Sequence, residues 1–314
     1  MTPGKTYLTS DEIRPLAERS DIKGAWLVLH CWGTIALAVA LFGLWPNPLT
    51  FLLAVMIIGS RQLGLAILMH EAAHNALFRR QHLNDIVGTW LCARPILADL
   101  GAYRRYHLTH HRFTQSDKDP DLLLSSKFPT SHASMRRKFT RDLTGQTGVK
   151  QLVGQIAMAL RMAGDHEAIE AAEADFAQSF KSLHFWVTVP VFLAVMLVMG
   201  LVGNWWWGLA FWLLPYLTWF QFVLRVRNIA EHGATEQSDD PFRNVRTTLA
   251  GPLARLFVAP YWVNYHLEHH MIMHVPCYNL PKLHKLLLAK GYGTQMNMAP
   301  SYGAAMREAG WRSA

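Results

Sequence analysis

Long apolar runs separated by short polar turns mark two parts of the chain. Gly24 to Trp45 carries no formal charge. At about 1.5 Å of rise per residue it is long enough to cross a hydrocarbon layer of roughly 30 Å. The turn Pro46-Asn47-Pro48 leads into a second run, Leu49 to Met69, broken only by Arg61 and Gln62. Phe185 to Val202 and Trp205 to Leu224 repeat the arrangement around Gly203 and Asn204, with Trp205, Trp206 and Trp207 suited to a membrane interface. The pattern predicts an all-α integral membrane protein with four transmembrane helices in two hairpins, over residues 24–45, 49–69, 185–202 and 205–224. Two shorter apolar stretches, Ile86 to Leu100 and Thr248 to Val263, are interrupted by proline and arginine and are expected to lie in the interface or re-enter it.

The polar parts are residues 1–23, 70–184 and 225–314, and the chain reads as a single domain over 1–314. Thr9 to Glu12 has the spacing of a capping box, and the Ala-rich stretch from His166 to Leu183 is predicted to be helical. The charged opening segment has no apolar stretch of the kind a cleavable secretory signal needs. Lys and Arg are absent from the two tight turns and abundant in the other polar segments. The positive-inside rule therefore puts both termini and both long polar segments in the cytoplasm. Arg61 stands out within its span: at a helix centre an arginine costs roughly 2.5–3.5 kcal/mol on insertion scales, and no span offers it an acid. It is expected to bond to carbonyls or Gln62, or else to face a substrate head group or a polar tunnel wall.

A chain that is 51% hydrophobic and 17% charged is neither disordered nor fibrous. The net charge of +8 follows from the membrane topology and comes with no recognition motif, so no nucleic-acid partner is expected. The three cysteines show no C-x-x-C spacing, which argues against sulfur as a metal ligand. The 16 histidines carry the chemical signal. His70-Glu71-Ala72-Ala73-His74 places two imidazoles on one helix face. His107-Leu108-Thr109-His110-His111 and His266-Leu267-Glu268-His269-His270 each place three at i, i+3 and i+4, and Asn228 and His232 stand one turn apart after the last span. Imidazole suits transition metals, and nine such nitrogens exceed the needs of one ion, so a di-metal site in a cytoplasmic helical cap is predicted.

Glu71, Glu231 and Glu268 then read as acceptors for the outer N–H of ligand imidazoles, with Asp119 and Asp121 able to do the same. His30, His82, His132, His166, His184, His274 and His284 are set aside as ordinary core or surface residues. His70-Glu71-x-x-His74 taken alone also fits an intramembrane zinc protease, which would have no use for the other two boxes. Arg104, Arg105 and Arg112 flank the second box and suit either lipid phosphate or an acidic electron donor.

The three boxes, in this order and separated by paired spans, resemble those of the integral-membrane fatty acid desaturase and hydroxylase superfamily, from roughly Leu49 to Leu287. The resemblance implies two non-haem irons, dioxygen as co-substrate, and removal of hydrogen from methylenes of a lipid acyl chain. It implies as ligands His70, His74, His107, His110, His111, His232, His266, His269 and His270, with Asn228 a direct or water-mediated tenth. The third box begins with His266 rather than glutamine, and no haem motif of a fused cytochrome occurs. A separate ferredoxin or cytochrome b5 type donor is therefore expected. Desaturation is the expected outcome; a hydroxylase or ketolase of a lipid, alkane or carotenoid would use the same centre.

Overall fold

The computed structural model describes residues 7–162 and 185–310. The predicted helix over His166 to Leu183 lies outside them. Thr9 and Glu12 form the expected capping box, and Glu12 also pairs with Lys290 at 2.7 Å, which ties the N-terminal turn to the C-terminal part. The first hairpin pairs α1 (Asp21–Leu44) with α2 (Pro48–Ala73). Asn47 caps α2, its side chain accepting the N–H of Leu49 at 3.0 Å and of Thr50 at 3.1 Å, while Pro48 supplies a preset first helical position.

α2 continues past the predicted Met69 to Ala73, so His70 is helical and His74 is its C-terminal cap. α3 (Leu100–Phe113) carries the second box, and α4 (His132–Leu143) follows. Between α2 and α3 the stretch expected at the interface forms a short helix, Gln81–Val87, a π turn, Gly88–Ala93, and a 3-10 turn, Arg94–Ile96. α5 (Phe185–Val202) is apolar.

Among the described residues three helices are long and apolar enough to cross a membrane: α1, α2 and α6 (Leu209–His232). α6 opens with a π turn, contains Pro215, breaks at Thr218 and resumes as Trp219–His232. It runs beyond the predicted Leu224 and so brings Asn228, Glu231 and His232 to the end of the span itself. Large side chains such as Leu37, Leu49 and Leu201 stay exposed on the apolar helices, as a surface facing lipid requires.

The polar triplet in α2 joins the bundle together. Trp219 donates its indole N–H to the Ser60 hydroxyl at 2.9 Å, and that hydroxyl donates to the Phe257 carbonyl at 2.7 Å. Arg61 donates to the Leu256 carbonyl at 2.6 Å, and Gln62 to the Trp212 carbonyl at 2.9 Å. Arg61 therefore bonds to a carbonyl and not to Gln62. These bonds hold α6 and the short helix Pro252–Phe257 against α2. Beyond α6, the buried Arg246 donates to the carbonyls of Ala230 and Gly233, and Thr247–Thr248 pairs in parallel with Met298–Ala299.

Candidate metal centre

Four short pieces of helix converge at the ends of α2 and α6. α2 supplies His70 and His74, α3 the second box, α6 His232, and α7 (His266–Met271) the third box. Each piece is locally helical, so spacings of three and four aim the imidazoles of a box toward one side. The rings gather into two groups: His70, His74, His107 and His269 in one, His110, His232, His266 and His270 in the other. Within each group the candidate ligand atoms lie within 4.8 Å of one another. His111 stands between them, its Nε2 2.9 Å from that of His107 and 3.0 Å from that of His269, while its ring stacks on His270 with centroids 4.1 Å apart. Asn228 is half-buried one turn before His232.

The nitrogen geometry fits a cation. The Nε2 atoms of His70 and His269 are 2.9 Å apart, and those of His232 and His266 are 2.8 Å apart. Burial, followed by the charge of neighbouring imidazoles, holds His107, His111, His266, His269 and His270 well below the ordinary imidazole value. With the proton of each neutral ring on its outer nitrogen, two lone pairs face one another at such distances and repel unless something positive lies between them. Metal–nitrogen bonds of about 2.0–2.1 Å at right angles would bring adjacent ligand atoms to about 3 Å, the spacing seen here. His74 Nε2 and His270 Nε2 are buried without a hydrogen-bond partner. These unsatisfied nitrogens agree with the same reading.

The surrounding groups orient the rings. Asp119 lies 2.8 Å from His110 Nδ1 and also accepts the N–H of Gln115 and of Asp121, so a turn braced by backbone holds the carboxylate in place. Burial alone would push the His110 imidazole down; the bond to Asp119 and the charge of Asp121 outweigh it and raise it. Asp121 is 3.7 Å from the same nitrogen and accepts the Tyr106 hydroxyl. The Tyr103 hydroxyl is 3.1 Å from His70 Nδ1, and the Thr114 hydroxyl 3.3 Å from His270 Nδ1. Neither residue was singled out in the sequence, although Tyr103 precedes His107 by one helical turn and stacks on it.

Four of the other candidate residues have these partners. Glu71 accepts the backbone N–H of Cys277 at 2.8 Å, so it links α2 to the segment after the third box and is not shown gripping an imidazole of the boxes. Glu268 accepts from Thr247 and pairs with His284, a histidine set aside in the sequence. Its place between two ligand candidates in the chain turns it to the opposite side of α7, away from their shared face. Glu231 pairs with Arg227 at 2.7 Å, and its other oxygen is 3.5 Å from His266 Nε2. Arg104 is also committed elsewhere. It donates to the carbonyls of Ala72 and Ala73 and to Asp85, capping the C-terminal end of α2, which leaves Arg105 and Arg112 as the exposed basic pair of the second box. All three cysteines are buried free thiols outside the two histidine groups.

Among the described residues, one cavity adjoins the centre and a second shares Tyr261 with it. A small one is lined by Ile67, His70, His266, His269 and Tyr261. A cleft of about 320 Å³ lies on the other side of Tyr261, bounded by Trp26, His30, Arg61, Arg255 and Trp262.

Comparison with known proteins gives relatives named as desaturases and a ketolase. Dihydrorhizobitoxine desaturase of Bradyrhizobium elkanii is 26% identical over 93% of this chain and 81% of its own length. A beta-carotene ketolase of a Paracoccus species is 25% identical over 91% of this chain and 98% of its own. An sn-1 oleoyl-lipid 12-desaturase of a Picosynechococcus species is 23% identical over 86% and 76%. The zinc-protease reading of His70-Glu71-x-x-His74 is displaced, because His107 and His269 complete that group and these relatives are oxidative enzymes. The fatty acid desaturase family matches residues 43–302, and the chain belongs to that family as a multi-pass membrane oxidoreductase.

Proposed function

We propose that this protein desaturates a lipid acyl chain at two irons held by the nine box and α6 histidines, using dioxygen and electrons from a separate carrier protein. The observation that supports this best is the convergence of ring nitrogens from four distant segments into two adjacent groups beside an apolar cavity. His70, His74, His107 and His269 would hold one iron, His110, His232, His266 and His270 the other, with His111 between them and Asn228 within one turn of His232. Iron, when bound, supplies the activation of dioxygen that makes removal of hydrogen from an unactivated methylene feasible. α5 serves as the fourth crossing, and both termini and the centre face the cytoplasm.

The chain's own groups do the positioning. Neutral imidazoles offer lone pairs, Asp119 fixes the ring of His110, and the Tyr103 and Thr114 hydroxyls hold His70 and His270. Ile67 and Leu280 line the small cavity beside His70, keeping water away from a bound methylene. Placement decides the rate, since an error near 1 Å can cost on the order of a hundredfold.

A hydroxylase or ketolase reading keeps the same centre and is favoured by one observation, the near full-length match to a ketolase. Mass spectrometry of lipids from cells with and without the protein separates the two. The expected product is an acyl chain lighter by two hydrogens; a product heavier by one oxygen selects the oxygenating reading, and unchanged lipids reject the acyl-chain assignment.

A further inference from the structure

Arg61 is 2% exposed in the middle of α2, and among the described residues it has no carboxylate partner. One of its terminal nitrogens donates to the Leu256 carbonyl, and its Nε is buried without a partner. The guanidinium lies 5.7 Å from the centre of the Tyr261 ring, at the wall of the 320 Å³ cleft. That wall is rich in donors. Arg255 is exposed on it, and the His30 imidazole is 3.1 Å from the Tyr261 hydroxyl. No acid is among the residues that bound the cleft. Trp26 and Trp262 add apolar ring surface beside these polar groups.

The backbone at the junction is strained in the same place. Tyr261 and Trp262 are consecutive non-glycine residues with φ of 54° and 57°, a left-handed conformation that side chains with a Cβ disfavour. Such strain persists only where the surroundings impose it, and it gathers at ligand clamps and active sites. Here it sets the Tyr261 ring between the two cavities, lining the cleft on one side and the chamber of His70, His266 and His269 on the other.

We propose that this cleft binds the oxyanion end of the acyl substrate, a carboxylate or a phosphate ester, between Arg61 and Arg255, and that the chain runs from there past Tyr261 to the histidines. The proposal rests on the reading that an acyl chain reaches the histidine centre. A buried arginine without an acidic partner, in a low-dielectric span, carries a positive charge that an anion can neutralise. Arg61 and Arg255 both line the cleft, and charge-assisted hydrogen bonds from a guanidinium to an oxyanion are the strong ones.

The test is equilibrium binding of oleate and of methyl oleate to the full-length protein in phosphatidylcholine nanodiscs. Binding needs no turnover, so the outcome stands apart from whether lipids are oxidised. Wild type is expected to bind oleate at least about tenfold more tightly than the ester. Arg61→Gln, which removes the charge and keeps a polar amide in the span, is expected to abolish the preference, and the surface change Arg255→Gln to reduce it several-fold. If Arg61→Gln fails to fold, as its thermal transition would reveal, Arg255→Gln decides the question. Displacement of bound oleate by phosphatidylglycerol in the wild type and not in these variants supports the oxyanion site and assigns it to a lipid phosphate. Equal affinity for acid and ester without such displacement overturns the proposal, as does a preference unchanged by Arg255→Gln and by any folded Arg61→Gln.

Discussion

Asp119 decides how firmly His110 is presented to an ion. Its carboxylate receives bonds from the imidazole and from two backbone N–H groups, so both the ring angle and the tautomer are determined by a braced turn. Asp119→Asn keeps the size and removes the charge, and losses of roughly 10–100-fold in metal affinity are typical for such changes. Chelator competition on the purified protein is expected to show a loss in that range, with helix content unchanged. The sequence put Glu71 and Glu268 ahead of Asp119, which read equally well as a surface turn residue. Glu71 turns to the Cys277 backbone and Glu268 to Thr247 and His284. A carboxylate's neighbours in the chain say little about its partner once the helix bearing it has two faces.

Among the elements, α4 is fastened to α6 by one ion pair. Asp142 is fully buried and receives two bonds from Arg225, one of them at 2.9 Å. Arg225 is partly exposed, so Asp142→Ala should cost less than the roughly 3–5 kcal/mol of a fully buried pair, about 2–3 kcal/mol. A lowered thermal midpoint in detergent measures it; a midpoint equal to that of the wild type would show that the pair adds nothing. α6 also shows where helix limits escape a hydropathy window. The apolar run ends near Leu224, and the helix continues to His232 because its last two turns are buried by protein, with Val226, Ile229 and Ala230 packed into the core. The first hairpin needed no such help, since Asn47 and Pro48 mark the turn locally.

The whole molecule brings together a membrane-facing bundle, a histidine centre and two surfaces that make separate predictions. Arg105 and Arg112 remain exposed beside the second box, whereas Arg104 is spent on α2. Reversing both exposed charges to Glu is expected to lower turnover with a reduced acidic carrier about tenfold or more, more steeply at low ionic strength, and to leave iron content unchanged. Equal turnover at low and high salt would count against that surface. The cleft at Arg61 makes the second prediction. Arg61 and His70 lie nine residues apart on α2, about 13 Å at 1.5 Å per residue, and an extended chain advances about 1.2 Å per bond. The oxidised carbon should lie on the order of ten bonds from the oxyanion, at a position counted from that end. Palmitate and stearate are expected to be modified at the same carbon from the carboxyl, as fragmentation mass spectrometry would show. Counting from the methyl end would contradict this.

The amino-acid sequence alone determined the long apolar helices and the three boxes with His232. Each depends on apolar length, a cap or a spacing of three to four residues, all of which act within a few turns of chain. The tertiary structure decided which imidazoles share a group, that His111 lies between the groups, that Arg104 closes α2, and that Tyr261 separates a cationic cleft from the histidines. Those contacts join residues from about 30 to 200 positions apart. They exist only because burial of the helices against one another leaves these polar groups no other partners.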